Sequence, residues 1–323
     1  MTPSANLRIV FRAPAGAGRG FGHLTRCVAL GRALGIRPLM ALRGGRRARE
    51  AALALGADVI TSATLNTLAA LRPDVVVIDD PVARDAERWT RAARRAGAVV
   101  VTVHDLGLGA RGADLAIDGS VTRPRKGSAR GKVLAGTRFA VLDPAIRRRT
   151  SSPTGAPRVL IALGGGPHAR RAQAIAETIA ASAPRAEIRI AGGFVSSSSG
   201  RSTDRVRWIG SPRGLAGELA KATVAVVGGG VSLYEAAAMG VPAVTVPVVK
   251  SQVPTVVAFA RRRAAVAVPY AATPKDAATK VVRLLGDASR RKSLAKRSRQ
   301  VVDGHGASRA AAAVMKLAAG GRR

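Results

Sequence analysis

The stretch VAVVGGGVSLYEAAAMGVPAVTVP, Val224–Pro247, carries the most structural information in the chain. It opens with a short β-branched run, Val224–Val227, passes through Gly228, Gly229 and Gly230, and continues with the helical composition of VSLYEAAAM. Gly240 and Pro242 then turn the chain into a second apolar run, Ala243–Val246. Strand, glycine turn, helix and strand in that order predict a βαβ unit, and so a parallel sheet. The glycines permit a tight turn and leave the N–H groups of the helix start open to an anion. Ser232 and Glu235 stand three apart, the spacing of a capping box. The same two side chains could instead meet a ligand, Glu235 accepting from ribose hydroxyls and Ser232 meeting a pyrophosphate. Lys250, Ser251 and Gln252 follow the second strand.

The same alternation extends in both directions. Upstream, strands are predicted at Leu7–Phe11, Val75–Ile78, Val99–Val103 and Leu115–Ile117; nearer the opening stretch, at Val159–Leu163 and Glu187–Ala191. Thr25–Leu34 shows helical periodicity, with Val28, Ala29, Leu30, Ala33 and Leu34 able to share a face. The composition changes at IRRRTSSPTGAP, which is basic, polar and rich in Ser and Pro, as linkers are. The expected division is therefore an N-terminal domain over 1–145, a linker over 146–156 and a C-terminal domain over 157–323. The terminal helical stretch could pack back on the first domain.

Four further places could carry chemistry. GAGRGFGHLTRC, Gly16–Cys27, follows the first strand and opens a helix. Gly18, Gly20 and Gly22 do not have the dinucleotide fingerprint spacing, and Arg43–Arg49 is basic where that fingerprint needs an acid, which argues against a nicotinamide enzyme. His23 sits at the loop–helix junction, where an imidazole can act as a general base. VIDDPVARD places Asp79 and Asp80 at a strand's C-terminal end, where they could divide acid and base roles, bind a metal, or cap the next turn. VTVHDLG repeats this arrangement with His104 and Asp105, and Gly164, Gly165 and Gly166 form a glycine turn after the first strand of the second half.

Composition narrows the classes. The 323 residues are 47% hydrophobic and 22% charged, a globular balance with room for two cores. Aromatics are only 3%, so those cores are aliphatic, as suits parallel sheet covered by Ala-rich helices. Lys and Arg number 53 against 19 acids, a formal charge of +34. That excess favours polyanions, among them an anionic membrane surface. Without interleaved aromatics or a nucleic-acid module, nucleic acid is a disfavoured partner. Cys27 is the single cysteine, which excludes an intrachain disulfide and fits a reducing compartment. No apolar run approaches a membrane span or signal core, so the expected location is cytoplasmic.

The motifs taken together resemble known families. GGGVSLYEAAAMGVPAVTVP is similar to the nucleotide-binding segment of GT-B glycosyltransferases. GFGHLTRCVALGRAL, VVVTVHDLGLGARGADLAIDGSV and LIALGGGPHA resemble, in order, segments of the UDP-sugar hydrolases of pseudaminic acid synthesis and their spore-coat polysaccharide relatives. The resemblance implies an α/β fold of two Rossmann-like domains in the GT-B arrangement, with the site in the cleft between them. It implies His23 as the base that activates water, and a UDP-linked sugar as partner. Substrate or nucleotide contacts are expected at Gly20, Gly22, Arg26, Asp105, Gly164, Gly165, Gly229, Gly230, Ser232, Glu235 and Gln252, with no cofactor and no metal. The chain departs from the hydrolase pattern after Arg12, where Ala13, Pro14 and Ala15 replace an acid, and around Pro167 and His168, where an Asp and an Asn are missing. A UDP-sugar hydrolase is the first expectation, a GT-B transferase the second, and a non-catalytic nucleotide-sugar or polyanion binder the third.

Overall fold

The computed structural model describes residues 7–16, 20–61, 63–104, 112–122, 131–146, 155–164, 168–194 and 202–320. The chain divides into two compact units, Met1–Pro144 together with His305–Arg323, and Ala145–Gly304.

Unit 1 runs β1 (Ile9–Pro14), α1 (Gly22–Ala33), β2 (Leu39–Arg43), α2 (Arg46–Ala54), β3 (Asp58–Val59), α3 (Leu65–Leu71), β4 (Val75–Ile78), α4 (Ala83–Arg95), β5 (Val99–His104), β6 (Leu115–Asp118) and β7 (Lys132–Ala135). Its sheet has the order β3-β2-β1-β4-β5-β6-β7, and all its pairings are parallel. β1 and β4 are buried at every position, because helices cover both faces of the sheet. Val10, Val76, Ile78 and Val100 pack on one face with Leu68 of α3 and with Trp89 and Ala93 of α4. The other face is covered by α1 and by a helix from the far end of the sequence, Gly306–Gly320, which packs along α1 and touches β5 and β6. Its entry requires glycine: a Cβ on Gly306 would lie 2.1 Å from the carbonyl oxygen of Ala140.

Unit 2 runs β8 (Arg158–Ala162), α5 (Ala169–Ser182), β9 (Glu187–Ala191), β10 (Val206–Ile209), α6 (Ala216–Lys221), β11 (Val224–Val227), α7 (Val231–Met239), β12 (Ala243–Thr245), α8 (Val253–Arg261), β13 (Val266–Ala267), α9 (Pro274–Gly286) and α10 (Ala288–Val301); the helix Gly306–Gly320 is then α11. The sheet order is β10-β9-β8-β11-β12-β13, again parallel. Val159, Ile161, Val224 and Val226 meet Ile175 and Ile179 of α5 and Val281 of α9 in one aliphatic core. Both units are thus Rossmann-like. Leu39–Arg43 and Val206–Ile209 are strands that hydrophobic runs alone did not single out, since each mixes apolar residues with arginine.

Among the described residues, no helix is long and apolar enough to cross a membrane.

Candidate active site

Each sheet has one point where consecutive crossovers leave in opposite directions. In unit 1 it lies between β1, which leads through α1 to β2 on one side, and β4, which leads through α4 to β5 on the other. In unit 2 it lies between β8 and β11. Helices cannot cover the sheet's C-terminal edge at such a point, so open α/β folds bind ligands there.

In unit 1 the switch point holds His23, Arg26 and Asp79. α1 begins at Gly22 with no side-chain cap and no acid in its first turn. His23 and Arg26, three apart, face the end of β4 together. The His23 Nδ1 lies 2.7 Å from Asp79 Oδ1. Arg26 grips the same carboxylate with both arms of its fork, Nε donating to Oδ2 at 2.7 Å and Nη2 to Oδ1 at 2.7 Å. Nη2 also lies 2.9 Å from His23 Nδ1. A carboxylate oxygen only accepts, so in the 2.7 Å contact Nδ1 carries a hydrogen and donates it to Asp79. Nε2 makes no hydrogen bond among the described residues.

Burial pushes the Asp79 carboxyl up, but the charge of Arg26, the neighbouring His23 and the hydrogen bonds from both outweigh it and hold the group at about 2. Asp79 is therefore a carboxylate throughout the physiological range. Arg26, expected among the ligand contacts, is 5% exposed and turned into the protein towards this carboxylate. Gly20 and Gly16 exchange reciprocal backbone hydrogen bonds at 3.0 Å, pinching the loop that leads into α1, and Gly20 takes a positive φ of 69°.

Asp80 does not act with Asp79. Successive residues leaving a strand point to opposite faces, and here the two carboxylates go to opposite sides of the sheet. Asp80 accepts from Arg43 Nη2 at 2.6 Å and from the Val82 N–H at 3.0 Å, with Arg12 Nε 4.0 Å away. Arg12 stacks over Trp89 of α4, 4.6 Å from the ring centroid. Neither a shared metal nor a division of acid and base roles fits two carboxylates arranged this way. Asp80 is a turn former and the centre of a buried ion cluster.

In unit 2 the switch point brings Gly164 at the end of β8 beside the glycine turn after β11. Gly164 has a positive φ of 86°. Gln252 reaches back to that turn, its Oε1 accepting from the N–H groups of Gly229 and Val248, each at 3.0 Å. The loops after β11 and β12 are thus tied through one amide oxygen. Gly229 has no room for a side chain: a Cβ there would stand 2.8 Å from Gln252 Cβ and 2.9 Å from its carbonyl oxygen. Ser232 lies one residue inside α7, whose N-cap is Gly230, without a side-chain cap, so the Ser232–Glu235 spacing forms no capping box. Glu235 is buried on the same helix. The first turn of α7 consequently keeps N–H groups directed out of its end, an electropositive site suited to a diphosphate. His168 precedes α5, and burial together with Arg171 lowers its pKa. Asp105 and Gly165 lie outside the described residues.

Sequence reasoning missed that Asp79 is the partner of His23. The available signal was an aspartate directly after a buried strand, VVVID, in the strand that neighbours β1. Pairing it with His23 needs the strand order, which no local pattern contains.

No family model matches the chain, and no curated protein matches it in sequence. Solved structures do. The spinosyn forosaminyltransferase SpnP is 18% identical with a TM-score of 0.70, the match covering 98% of this chain and 100% of that one. The spinosyn rhamnosyltransferase SpnG, complexed with thymidine diphosphate, is 18% identical with a TM-score of 0.63 over 96% and 99% of the two chains. A Listeria monocytogenes protein described as a UDP-N-acetylglucosamine 2-epimerase is 13% identical with a TM-score of 0.60 over 96% of each. These likenesses establish the fold: two parallel-sheet Rossmann-like domains, as in the GT-B glycosyltransferases.

Proposed function

We propose that this chain is a glycosyltransferase that moves a sugar from a nucleoside diphosphate to an acceptor hydroxyl. The observation that carries the reading is the hydrogen bond from His23 Nδ1 to the buried Asp79 carboxylate at the switch point of unit 1. It leaves Nε2 as a base beside a permanent anion that can meet the imidazolium charge as it forms. In the proposed reaction Nε2 takes the acceptor's proton as its oxygen bonds to the anomeric carbon. The bond from that carbon to the diphosphate oxygen breaks, and the leaving charge passes to the nucleoside diphosphate. Gly229, Gly230, Ser232 and Glu235 are the proposed nucleotide contacts, and Gln252 shapes the loop they stand on.

The hydrolase expectation, and with it a role in pseudaminic acid synthesis, finds no support among the structural neighbours named above; SpnP and SpnG are both transferases. SpnG's thymidine diphosphate widens the proposed donor from uridine to either pyrimidine nucleotide. The excess of 53 basic over 19 acidic residues favours an acidic acceptor or an anionic membrane surface over a neutral partner. The buried thiol Cys27 suits a reducing cytoplasm.

The test is release of nucleoside diphosphate by the full chain from uridine- and thymidine-linked sugars, with and without a panel of hydroxyl acceptors, in ¹⁸O-labelled water. Release that depends on an acceptor supports transfer. Equally fast release without acceptor, with ¹⁸O at the anomeric hydroxyl, overturns transfer in favour of hydrolysis. His23→Gln should lower turnover about 10²–10⁴-fold with nucleotide affinity retained.

A further inference from the structure

α8 is a surface helix without a polar outer face. Its inner side is made by Thr255, Val256 and Phe259, all buried, with the Phe259 ring edge-on to Tyr234 of α7 and the ring centroids 5.2 Å apart. The opposite side is formed by Val253, Pro254, Val257 and Ala258, each at least partly exposed, and the first charge there is Arg261. A surface helix ordinarily turns charged or polar residues to water. Val257 is 38% exposed, and Val249 at 43% and Tyr270 at 40% follow β12 and β13, the strands that α8 connects. The other large exposed hydrophobics among the described residues, Leu53, Val82 and Val133, stand singly at separate places in unit 1. Single exposed side chains are ordinary, whereas an apolar helix face marks a surface that something covers.

The charges flanking this stripe all have one sign. Lys250 precedes α8, and Arg261, Arg262 and Arg263 end it, all of them exposed. No Asp or Glu occurs in the sequence between Glu235 and Asp276. We propose that the outer face of α8 docks on an anionic lipid bilayer: Val253, Pro254 and Val257 enter the headgroup boundary, and the cations at both ends of the helix meet acidic headgroups. A second copy of this chain is a poor occupant, because two such faces repel, on molecules of formal charge +34. The four residues of the stripe also carry no hydrogen-bonding side chain, and so offer apolar contact without the polar register that fixes a protein partner. Gln252, which ties the Gly229 turn, is the residue before α8, so docking holds the proposed nucleotide loop close to the lipid. Within the transferase reading that favours a lipid-borne acceptor, but the docking itself does not rest on that reading.

The experiment measures co-sedimentation of the full chain with phosphatidylcholine vesicles, with and without phosphatidylserine, near physiological ionic strength. Binding should require phosphatidylserine. Diffuse attraction by the whole basic surface is separated from docking by two variants that lower the formal charge equally. Val257→Asp/Arg261→Gln alters the α8 face, and Lys296→Gln/Arg297→Gln alters exposed cations of α10. The first should bind phosphatidylserine vesicles about tenfold more weakly than the second. A second readout tests the face even if the α8 variant does not fold. Cys27 is buried, so a polarity-sensitive dye can be placed on Val257→Cys alone; its emission should shift to the blue on these vesicles, and the same dye on Lys296→Cys should not shift. Equal losses in the charge-matched pair, an unshifted dye at residue 257, or no vesicle binding at all overturns the proposal. So does sedimentation velocity showing a dimer that Val257→Asp dissolves, which would make a second copy the occupant. Failure to turn over any nucleotide sugar would sink the transferase reading while leaving the vesicle result standing.

Discussion

Replacing Asp79 by asparagine should change how the protein's stability depends on pH. The carboxyl titrates at about 2 in the folded chain against a usual 3.8, because Arg26 and His23 outweigh the effect of its burial. A depressed carboxyl contributes stability above its unfolded value, and that contribution disappears as pH falls through the folded one. The gap between the two values corresponds to about 2 kcal/mol, fully present above pH ~5 and lost towards pH ~2. Asp79→Asn removes the titration, although it also leaves the buried Arg26 guanidinium facing a neutral amide, a further cost at every pH. The chain has two tryptophans, Trp89 in unit 1 and Trp208 in unit 2, so a Trp208→Phe background makes fluorescence report unit 1 alone. Urea unfolding of that background should lose about 2 kcal/mol more between pH 6 and pH 2 than the same background carrying Asp79→Asn. If the two lose stability in parallel over that range, Asp79 is not held as a carboxylate by Arg26, and the account of the site is wrong.

Other outcomes follow from single contacts. Asp80→Asn strips the buried Arg12 of its anion and leaves the half-buried Arg43 with Asp85 alone, and should cost about 3–5 kcal/mol of unit 1 stability in the same assay, since an unpaired buried charge is left behind. Gly229→Ala forces a Cβ into the backbone and side chain of Gln252, so thermal unfolding should show unit 2 weakened by about 1–3 kcal/mol and calorimetry should show poorer uridine or thymidine diphosphate binding. Glu235→Ala should weaken that binding by about 1–3 kcal/mol if a buried hydrogen bond to ribose is lost; equal affinity removes Glu235 from the site. Gly306→Ala drives a methyl group into the Ala140 backbone and should loosen α11, seen as faster proteolytic cleavage near residue 305 with unit 2 intact.

Much of the architecture was readable because both faces of each sheet are covered. Val75–Ile78, Glu187–Ala191 and Val224–Val227 are apolar or alternating runs bounded by turn residues, and they are strands over those same residues. Leu39–Arg43 and Val206–Ile209 were harder. β10 is an edge strand, and β2 carries Arg43, which pairs across the sheet edge with Asp80. The site was legible by residue type more than by role. His23 stands where a loop–helix junction placed it, but Arg26 looked like a ligand contact because nothing local shows that its partner lies 53 residues away. Gln252 was singled out beside a strand end; its amide oxygen proves to hold Gly229 and Val248, a contact that only the adjacency of β11 and β12 creates.

α11 has a consequence for biogenesis. A ribosome releases the first eleven elements of unit 1, then every element of unit 2, and only afterwards the helix that seals α1 and the sheet beneath it. During that interval the parts of α1, β5 and β6 that α11 touches lack some of their native cover, while unit 2 is contiguous and can mature on its own. Vectorial synthesis would thus invert the order of completion, with the later-made unit finishing first and the earlier one kept waiting as a chaperone client until the last turns emerge.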